Sequence, residues 1–198
     1  MWWVELLNSI VSVLDSGGAG GGGGAFESIA TATGTGSSAV ITFSSIPSTY
    51  KHLQIRGITK STSALNQNTA EFTIALNGDT GSNYAIHRLT GDGTSVAASG
   101  GASTNYPSIN LSVPRSDGST PNTMGAVVID LQDYTATTRN KTIRSFTGAD
   151  QNGTGTYGLG LFSSLWLNTA AVTSVSLTVA SGSWTTSTVF SLYGIKGA

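Results

Sequence analysis

The sequence predicts an all-β protein built from two packed antiparallel sheets. Apolar and polar residues alternate along short segments from residue 26 onward, and turn sequences rich in glycine, asparagine and aspartate separate these segments. Serine and threonine number 28 each among 198 residues, and threonine fits the pleated surface of a strand. About ten short strands at this spacing are typical of a β-sandwich or jelly roll. We therefore expect one jelly-roll-like sandwich domain over residues 26–198.

Individual strands are predicted from the period-two alternation. The alternating segments are Thr42–Ser44, Leu53–Ile55, Phe72–Leu76, Ile109–Val113, Val172–Val179 and Phe190–Ile195. Gly125–Leu131 is a nearly continuous apolar run, which favours a central strand. Turn sequences lie between the strands at Asn77-Gly78-Asp79, Asp92-Gly93, Asp117-Gly118 and Asn152-Gly153. No long amphipathic helical segment interrupts this pattern after residue 26.

Charged residues are scarce in this chain. Only 10% of the residues are charged, against about 25% in ordinary soluble domains, and the net charge is −1. A surface of hydroxyl and amide groups suits an extracellular or virion-exposed protein. No run of lysine or arginine is present to neutralise phosphates, so a nucleic acid is not an expected partner. The absence of cysteine excludes disulfides, thiolate metal sites and cysteine nucleophiles.

Residues 1–15 are predicted to form an amphipathic helix. At 100° per residue, its apolar side chains fill one arc of about 200° and its polar side chains fill another of about 120°. The residues expected to make anchoring or oligomerisation contacts are Trp3, Leu6, Leu7, Ile10, Val13 and Leu14. An apolar arc this wide needs two or more neighbours, which a homotrimer or a groove on another protein supplies. We expect the homotrimer.

Other interpretations of residues 1–15 fit less well. A signal peptide needs a basic n-region and a transmembrane span needs about 20 apolar residues, and this segment has neither. A helix that lies on a membrane usually carries cations on its polar side, so no membrane insertion is expected. A helix packed on its own domain is the remaining alternative. Residues 16–25, which include the run GGAGGGGG, are predicted to be a flexible linker.

No catalytic motif stands out, and we expect no enzyme activity, no cofactor and no metal. Residues 153–158 match G-x-G-x-x-G, but the strand and helix that a dinucleotide site needs do not flank them. The two histidines, His52 and His87, lack the spacing of metal ligands, and His52 is expected at a strand edge. Asp130 and Asp133 could pair as glycosidase carboxylates do, but aspartates at such positions usually cap turns, and that role is favoured.

The remaining candidate residues are two aspartates and two tryptophans. Asp79 and Asp92 lie in predicted loops of the kind that bind Ca²⁺, but neither has the cluster of oxygen ligands that would make such a site specific. Trp166, between two leucines, is expected in the core. Trp184 stands among glycine, serine and threonine and is the candidate for an exposed surface contact.

Four stretches of the β domain form a recognisable pattern when they are taken together. The stretches are Phe26–Thr31, Ile46–Arg56, Leu76–Tyr84 and Ser191–Ile195. This pattern resembles uncharacterised structural proteins of tailed bacteriophages, particularly phages of aquatic bacteria. The similarity covers about residues 26–198 and consists of turns and core residues, with no catalytic motif. The resemblance implies a virion location for a display module that follows interchangeable N-terminal segments.

Two structural hypotheses follow from the resemblance. The first is a tail-fibre or other appendage protein whose β domain meets the host surface, with a host-surface glycan as a candidate ligand. The second is a capsid decoration (cement) protein that stabilises the head. Either would bind other virion proteins, from the tail or baseplate or the major capsid protein, through residues 1–15. A free carbohydrate-binding module is disfavoured by the apolar N-terminal segment, and a glycan-cleaving enzyme by the lack of a carboxylate constellation.

Overall fold

Twelve β-strands and no helix form the part of the chain that the structure describes, a computed structural model covering residues 24–63, 71–104, 108–109, 122–149 and 158–197. In chain order the strands are β1 Phe26–Thr33, β2 Val40–Phe43, β3 His52–Thr59, β4 Phe72–Leu76, β5 Tyr84–Gly91, β6 Val96–Thr104, β7 Ser108–Ile109, β8 Gly125–Leu131, β9 Lys141–Gly148, β10 Leu159–Trp166, β11 Val175–Val179 and β12 Val189–Ile195. They form two antiparallel sheets, so the predicted all-β, two-sheet class is confirmed for these residues. The predicted helix over residues 1–15 lies outside the described residues.

The larger sheet contains eight strands in the order β1-β12-β3-β8-β9-β10-β5-β6. The apolar run Gly125–Leu131 forms β8, which lies between β3 and β9, so the predicted central strand is confirmed. His52 opens β3, but β3 has neighbours on both sides, and the expectation of an edge residue is wrong. The C-terminal strand β12 pairs with β3 on the side opposite β8. Such pairing between distant segments cannot be recognised from the local sequence.

The smaller sheet contains four strands in the order β2-β11-β4-β7. Strands β1 to β5 alternate between the two sheets along the chain, so each connection crosses from one sheet to the other. The period-two pattern explains how the smaller sheet contributes to the core, because every second side chain of β11 is buried. These side chains are Val175, Leu177 and Val179. Both sheets therefore turn one apolar face toward a shared interior.

One hydrophobic core fills the space between the sheets. Its aromatic centre joins strands of both: the ring of Phe72 on β4 meets the ring of Phe190 on β12 edge-on, at 6.1 Å between centroids. The predicted core position of Trp166 is confirmed, since only 1% of the side chain is exposed. Contacts of this kind bury the largest side chains among the described residues and supply most of the driving force for folding.

Trp184 corrects one prediction about the surface. It was the candidate for an exposed contact, but its side chain is 0% exposed. The ring packs edge-on against Phe72 at 5.4 Å and Phe190 at 5.2 Å, and its indole N–H donates to the carbonyl of Leu177 at 3.1 Å. The polar loop around it folds back to pair with Ser61 as an isolated bridge. Trp184 therefore closes one end of the core instead of contacting a partner.

Candidate functional site

The outer face of the larger sheet carries a broad apolar surface. Strand register places exposed apolar residues or glycines opposite one another in two adjacent rows across five strands. From β8 to β6 the rows are Val128, Phe146, Leu161, Leu89 and Ala98, and Ala126, Gly148, Leu159, Gly91 and Val96. Ile58 on β3 extends the second row beside Ala126. We call these eleven residues the apolar strip.

The apolar strip is open to solvent in the described residues. Six of its side chains rank among the exposed large hydrophobics, with exposed fractions from 45% for Leu89 to 77% for Val96. Six such side chains, each about half exposed, present on the order of 600 Å² of apolar surface, the upper end of what a monomer usually leaves uncovered. No charged or hydroxyl side chain interrupts the two rows. A surface of this size and purity is typical of an interaction site.

A line of hydrogen-bonded polar residues borders the apolar strip on the same face. The Arg56 Nε–H donates to the Gln54 side-chain oxygen at 2.7 Å, and the Gln54 amide donates to a carboxylate oxygen of Asp130 at 2.8 Å. The Arg144 guanidinium approaches the other oxygen of Asp130 at 3.5 Å. These four residues, the polar ladder, cross three neighbouring strands, β3, β8 and β9.

Aromatic rings flank one end of the polar ladder. The guanidinium of Arg56 lies 5.7 Å from the ring centroid of Phe26 and 5.6 Å from that of Tyr193, within the range of cation–π attraction. Phe26 is 49% exposed. An arginine beside two rings, next to an amide and a carboxylate, offers the flat apolar and polar groups that sugar ligands use.

A shallow groove of about 600 Å³ lies at the other end of the polar ladder. Its walls include Arg144, Ser163 and His87 on one side and Leu161 and Leu89 of the apolar strip on the other. Opposite His87 on β6 is Gly100, where an added Cβ would come within 2.6 Å of the imidazole ring. Glycine at position 100 therefore leaves room for the His87 imidazole on the outer face of the sheet.

The aspartates considered as catalytic or metal-binding candidates are engaged in structural contacts. Asp130 belongs to β8 and the polar ladder, while Asp133 lies in the following turn with φ of 45°. Lys51 at 2.9 Å and Arg139 at 3.1 Å flank the Asp133 carboxylate, and mainly the contact with Lys51 holds the pKa of Asp133 below its usual value. A paired and ionised carboxylate is a poor general acid.

Asp79 stabilises the turn between the two sheets. Its carboxylate accepts hydrogen bonds from the indole N–H of Trp166 at 2.7 Å, the backbone N–H of Gly81 at 2.9 Å and the side chain of Asn83. These donors, the indole first, hold the pKa of Asp79 below its usual value. The nearby hydroxyl of Tyr84 donates to the Asp79 carbonyl. The oxygens of Asp79 are therefore directed into the protein.

Asp92 has a similar role at the hairpin between β5 and β6. One carboxylate oxygen accepts hydrogen bonds from the backbone N–H groups of Thr94 at 2.8 Å and Ser95 at 2.6 Å. Those two donors, Ser95 first, lower the pKa of Asp92. This is the turn-capping geometry that aspartate commonly adopts. Among the described residues no group of three or more histidine, aspartate or glutamate side chains is placed to hold a metal ion.

Lys141 is a buried cation that the sequence did not predict. The side chain is 0% exposed, and its ammonium group donates to the carbonyls of Ala136 at 2.6 Å, Arg139 at 2.9 Å and Thr169 at 3.1 Å. Burial lowers the pKa of Lys141. The three acceptors belong to two loops, so the ammonium group fastens one loop to the other. Its enclosure by carbonyls assigns it a structural role.

Three of the four stretches that carry the bacteriophage resemblance meet in space. The Tyr50 hydroxyl donates to the Glu27 carboxylate at 2.9 Å, and Lys196 forms an ion pair with the same carboxylate. The Tyr50 ring covers Gly194, where an added Cβ would lie 2.3 Å from the ring. Glu27, Tyr50 and Gly194 are therefore packing residues of the fold.

The predicted site residues are distributed as follows. Trp3, Leu6, Leu7, Ile10, Val13 and Leu14 lie outside the described residues. Trp184 lies in the core.

Within the described part of the chain, no helix is long and apolar enough to cross a membrane. The apolar strip is not among the predicted site residues, although one signal is present: Gly125–Ile129 and Leu159–Phe162 are apolar or glycine at consecutive positions, and therefore on both faces of their strands.

Comparisons with known proteins leave the family of this chain open. No family model matches it, and no curated protein matches it. Among solved structures, the binding domain of Botulinum Neurotoxin DC in complex with SialylT is similar over 80% of this chain, with 10% sequence identity and a TM-score of 0.28. The chain spans 36% of the length of that structure. A similarity at this TM-score supports no conclusion about fold or function.

Proposed function

We propose that this chain is a structural protein of a bacteriophage virion, a tail-fibre or appendage component anchored through residues 1–15. The observation that carries the proposal is the apolar strip, because about 600 Å² of unbroken apolar surface suits assembly with other protein chains, a second copy of this chain included. The resemblance of residues 26–198 to phage structural proteins supports it independently. On this proposal the protein is not an enzyme, and its partners are other virion proteins.

The proposal includes two finer features of architecture. The crossing of β1 to β5 between the sheets is the kind of connectivity that supports a jelly-roll-like sandwich. Residues 1–15 form an amphipathic helix that joins three copies of the chain or enters a groove on a tail or baseplate protein. The linker over residues 16–25 then lets the β domain turn relative to its anchor.

A host-surface glycan is the ligand proposed for the polar half of the outer face. The polar ladder supplies an amide, a carboxylate and two guanidinium groups, and the rings of Phe26 and Tyr193 stand beside Arg56. A capsid decoration (cement) protein is the second candidate function. It is favoured by the same apolar strip, which suits contact with the shell formed by the major capsid protein.

The copy number per virion distinguishes the two functions. Quantitative mass spectrometry of purified particles of the encoding phage would compare this chain with the major capsid protein. We expect a few dozen copies or fewer, as an appendage requires. Hundreds of copies would replace the appendage with the cement protein. Absence of the chain from purified particles would contradict the virion proposal itself.

The anchoring role of residues 1–15 has its own test. Ile10→Asp places a charge in the centre of the apolar arc, and an unpaired buried charge costs several kcal/mol. We expect this variant to enter virions poorly while its β domain melts like the parent. The control is Ser9→Asp, which adds the same charge on the polar side and should be incorporated normally. Equal incorporation of both variants would show that residues 1–15 are not the anchor.

A further inference from the structure

We infer that the apolar strip is the interface between two copies of this chain, which pack through the outer faces of their larger sheets. This interface goes beyond the proposed virion function and uses residues of the β domain instead of residues 1–15. Its elements are the two rows of apolar residues and glycines across β8, β9, β10, β5 and β6.

The available area matches what a pair of copies needs. One strip presents on the order of 600 Å² of large apolar side chains, so two strips in contact bury about 1,200 Å² before any neighbouring residue is counted. That total is the lower bound of stable specific interfaces, which bury about 1,200–2,000 Å². A second copy of the chain carries the same strip, so it supplies the other half of the buried apolar area.

The shape of the strip permits packing against itself. All eleven residues come from regular antiparallel strands, and two sheet faces pack at about 10 Å with interdigitated side chains. Glycines at 91 and 148 lie next to the large side chains of Leu159 and Phe146. Large side chains of one copy can therefore pack into the depressions above the glycines of the other copy.

The two rows of the strip are compatible with a two-fold axis between the copies. A polar row with Arg144 and His87 lies along one long edge of the strip, and Arg144 there is paired with Asp130 at 3.5 Å. A two-fold axis along the rows superposes apolar rows on apolar rows and sends the two polar rows to opposite sides of the interface.

Sedimentation equilibrium of the full chain tests the interface. All variants are made in an Ile10→Asp background, which removes the contacts proposed for residues 1–15. Leu161→Asp puts a carboxylate at the middle of the strip, and Val40→Asp puts one on an apolar residue of the smaller sheet that is 43% exposed. We expect the background chain to dimerise, Leu161→Asp to weaken dimerisation at least ~100-fold, and Val40→Asp to change it less than ~3-fold.

A second, more conservative variant distinguishes loss of the interface from a folding defect caused by Leu161→Asp. Phe146→Thr keeps a residue suited to a strand and removes the largest side chain of the strip, and it should weaken dimerisation about 10-fold or more. At protein concentrations where the background chain is monomeric, all variants should melt like it, since the changed side chains are about half exposed. A background chain that stays monomeric up to 100 μM, on the order of tenfold above a weak specific dimer's Kd, would overturn the inference. Equal effects of Leu161→Asp and Val40→Asp would overturn it as well.

Discussion

The outer faces of the two sheets differ sharply in chemistry. On the smaller sheet the outward positions include Thr42, Thr73, Ser176 and Thr178, and the hydroxyls of Thr42 and Ser176 are hydrogen-bonded at 2.9 Å. On the larger sheet the corresponding positions of five strands hold the apolar strip. Both faces belong to antiparallel strands of one domain, and both are backed by the same core.

The difference separates what folding requires from what function requires. Folding needs one apolar face per sheet, and the smaller sheet follows that rule with hydroxyls toward water. The larger sheet has, beside the polar ladder on its outer face, a second apolar surface that contributes nothing to the core. An uncovered apolar surface of this size promotes association, which supports the proposed contact with a second copy of the chain. The hydroxyl face is the natural solvent surface of the domain.

The largest expected effect comes from breaking the core that both faces share. Trp184→Ala should lower the free energy of unfolding by about 3–5 kcal/mol, because it removes a fully buried ring and leaves a cavity against Phe72 and Phe190. Phe146→Ala on the apolar strip, where the ring is 54% exposed, should cost under about 1 kcal/mol in the monomer. Urea unfolding followed by circular dichroism measures both, and equal losses would contradict the assignment of Phe146 to the surface.

An intermediate effect is expected at the turn that connects the two sheets. Asp79→Asn keeps the shape but weakens the hydrogen bonds from Trp166 and Gly81, and should lower the free energy of unfolding by about 1–2 kcal/mol at pH 7. The folded-state pKa of Asp79 lies below its ordinary value of 3.8, so the unfolded chain takes up the proton first as the pH falls.

The pH dependence of Asp79 follows from that sign. Its stabilising contribution is complete well above pH 3.8 and is lost as the pH falls through that value toward the lower folded-state pKa. The difference in unfolding free energy between the parent and Asp79→Asn should therefore be larger at pH 7 than at pH 3. A difference that stays constant over this range would show that the charge of Asp79 has no part in the turn.

The smallest effect is expected on the hydroxyl face. Ser176→Ala removes the hydrogen bond to Thr42, but both groups can bond to water instead, so the unfolding free energy should change by less than about 0.5 kcal/mol. The same variant should leave dimerisation unchanged. Urea unfolding and sedimentation equilibrium provide the two measurements. A loss above about 1.5 kcal/mol would mean that the smaller sheet depends on its outer hydroxyls.

The sequence by itself determined the fold class and several elements. Phe72–Leu76 and Gly125–Leu131 were predicted with the bounds that β4 and β8 have, because period-two alternation and a continuous apolar run are local patterns. The Asn77-Gly78 turn was equally visible, and both residues have positive φ, 52° and 69°. Strands such as β6, rich in alanine, glycine and serine, carry little alternation and were not predicted.

Only the tertiary structure decided which residues form surfaces and which fill the core. Trp184 stands in a polar loop, and its burial depends on a chain reversal that brings it against β4 and β12. The apolar strip depends on the register of five strands far apart in the chain, from Leu89 to Leu161. Pairing between distant strands is set by the global packing of the sheets, and a local pattern of apolar residues cannot specify which of two apolar faces stays open.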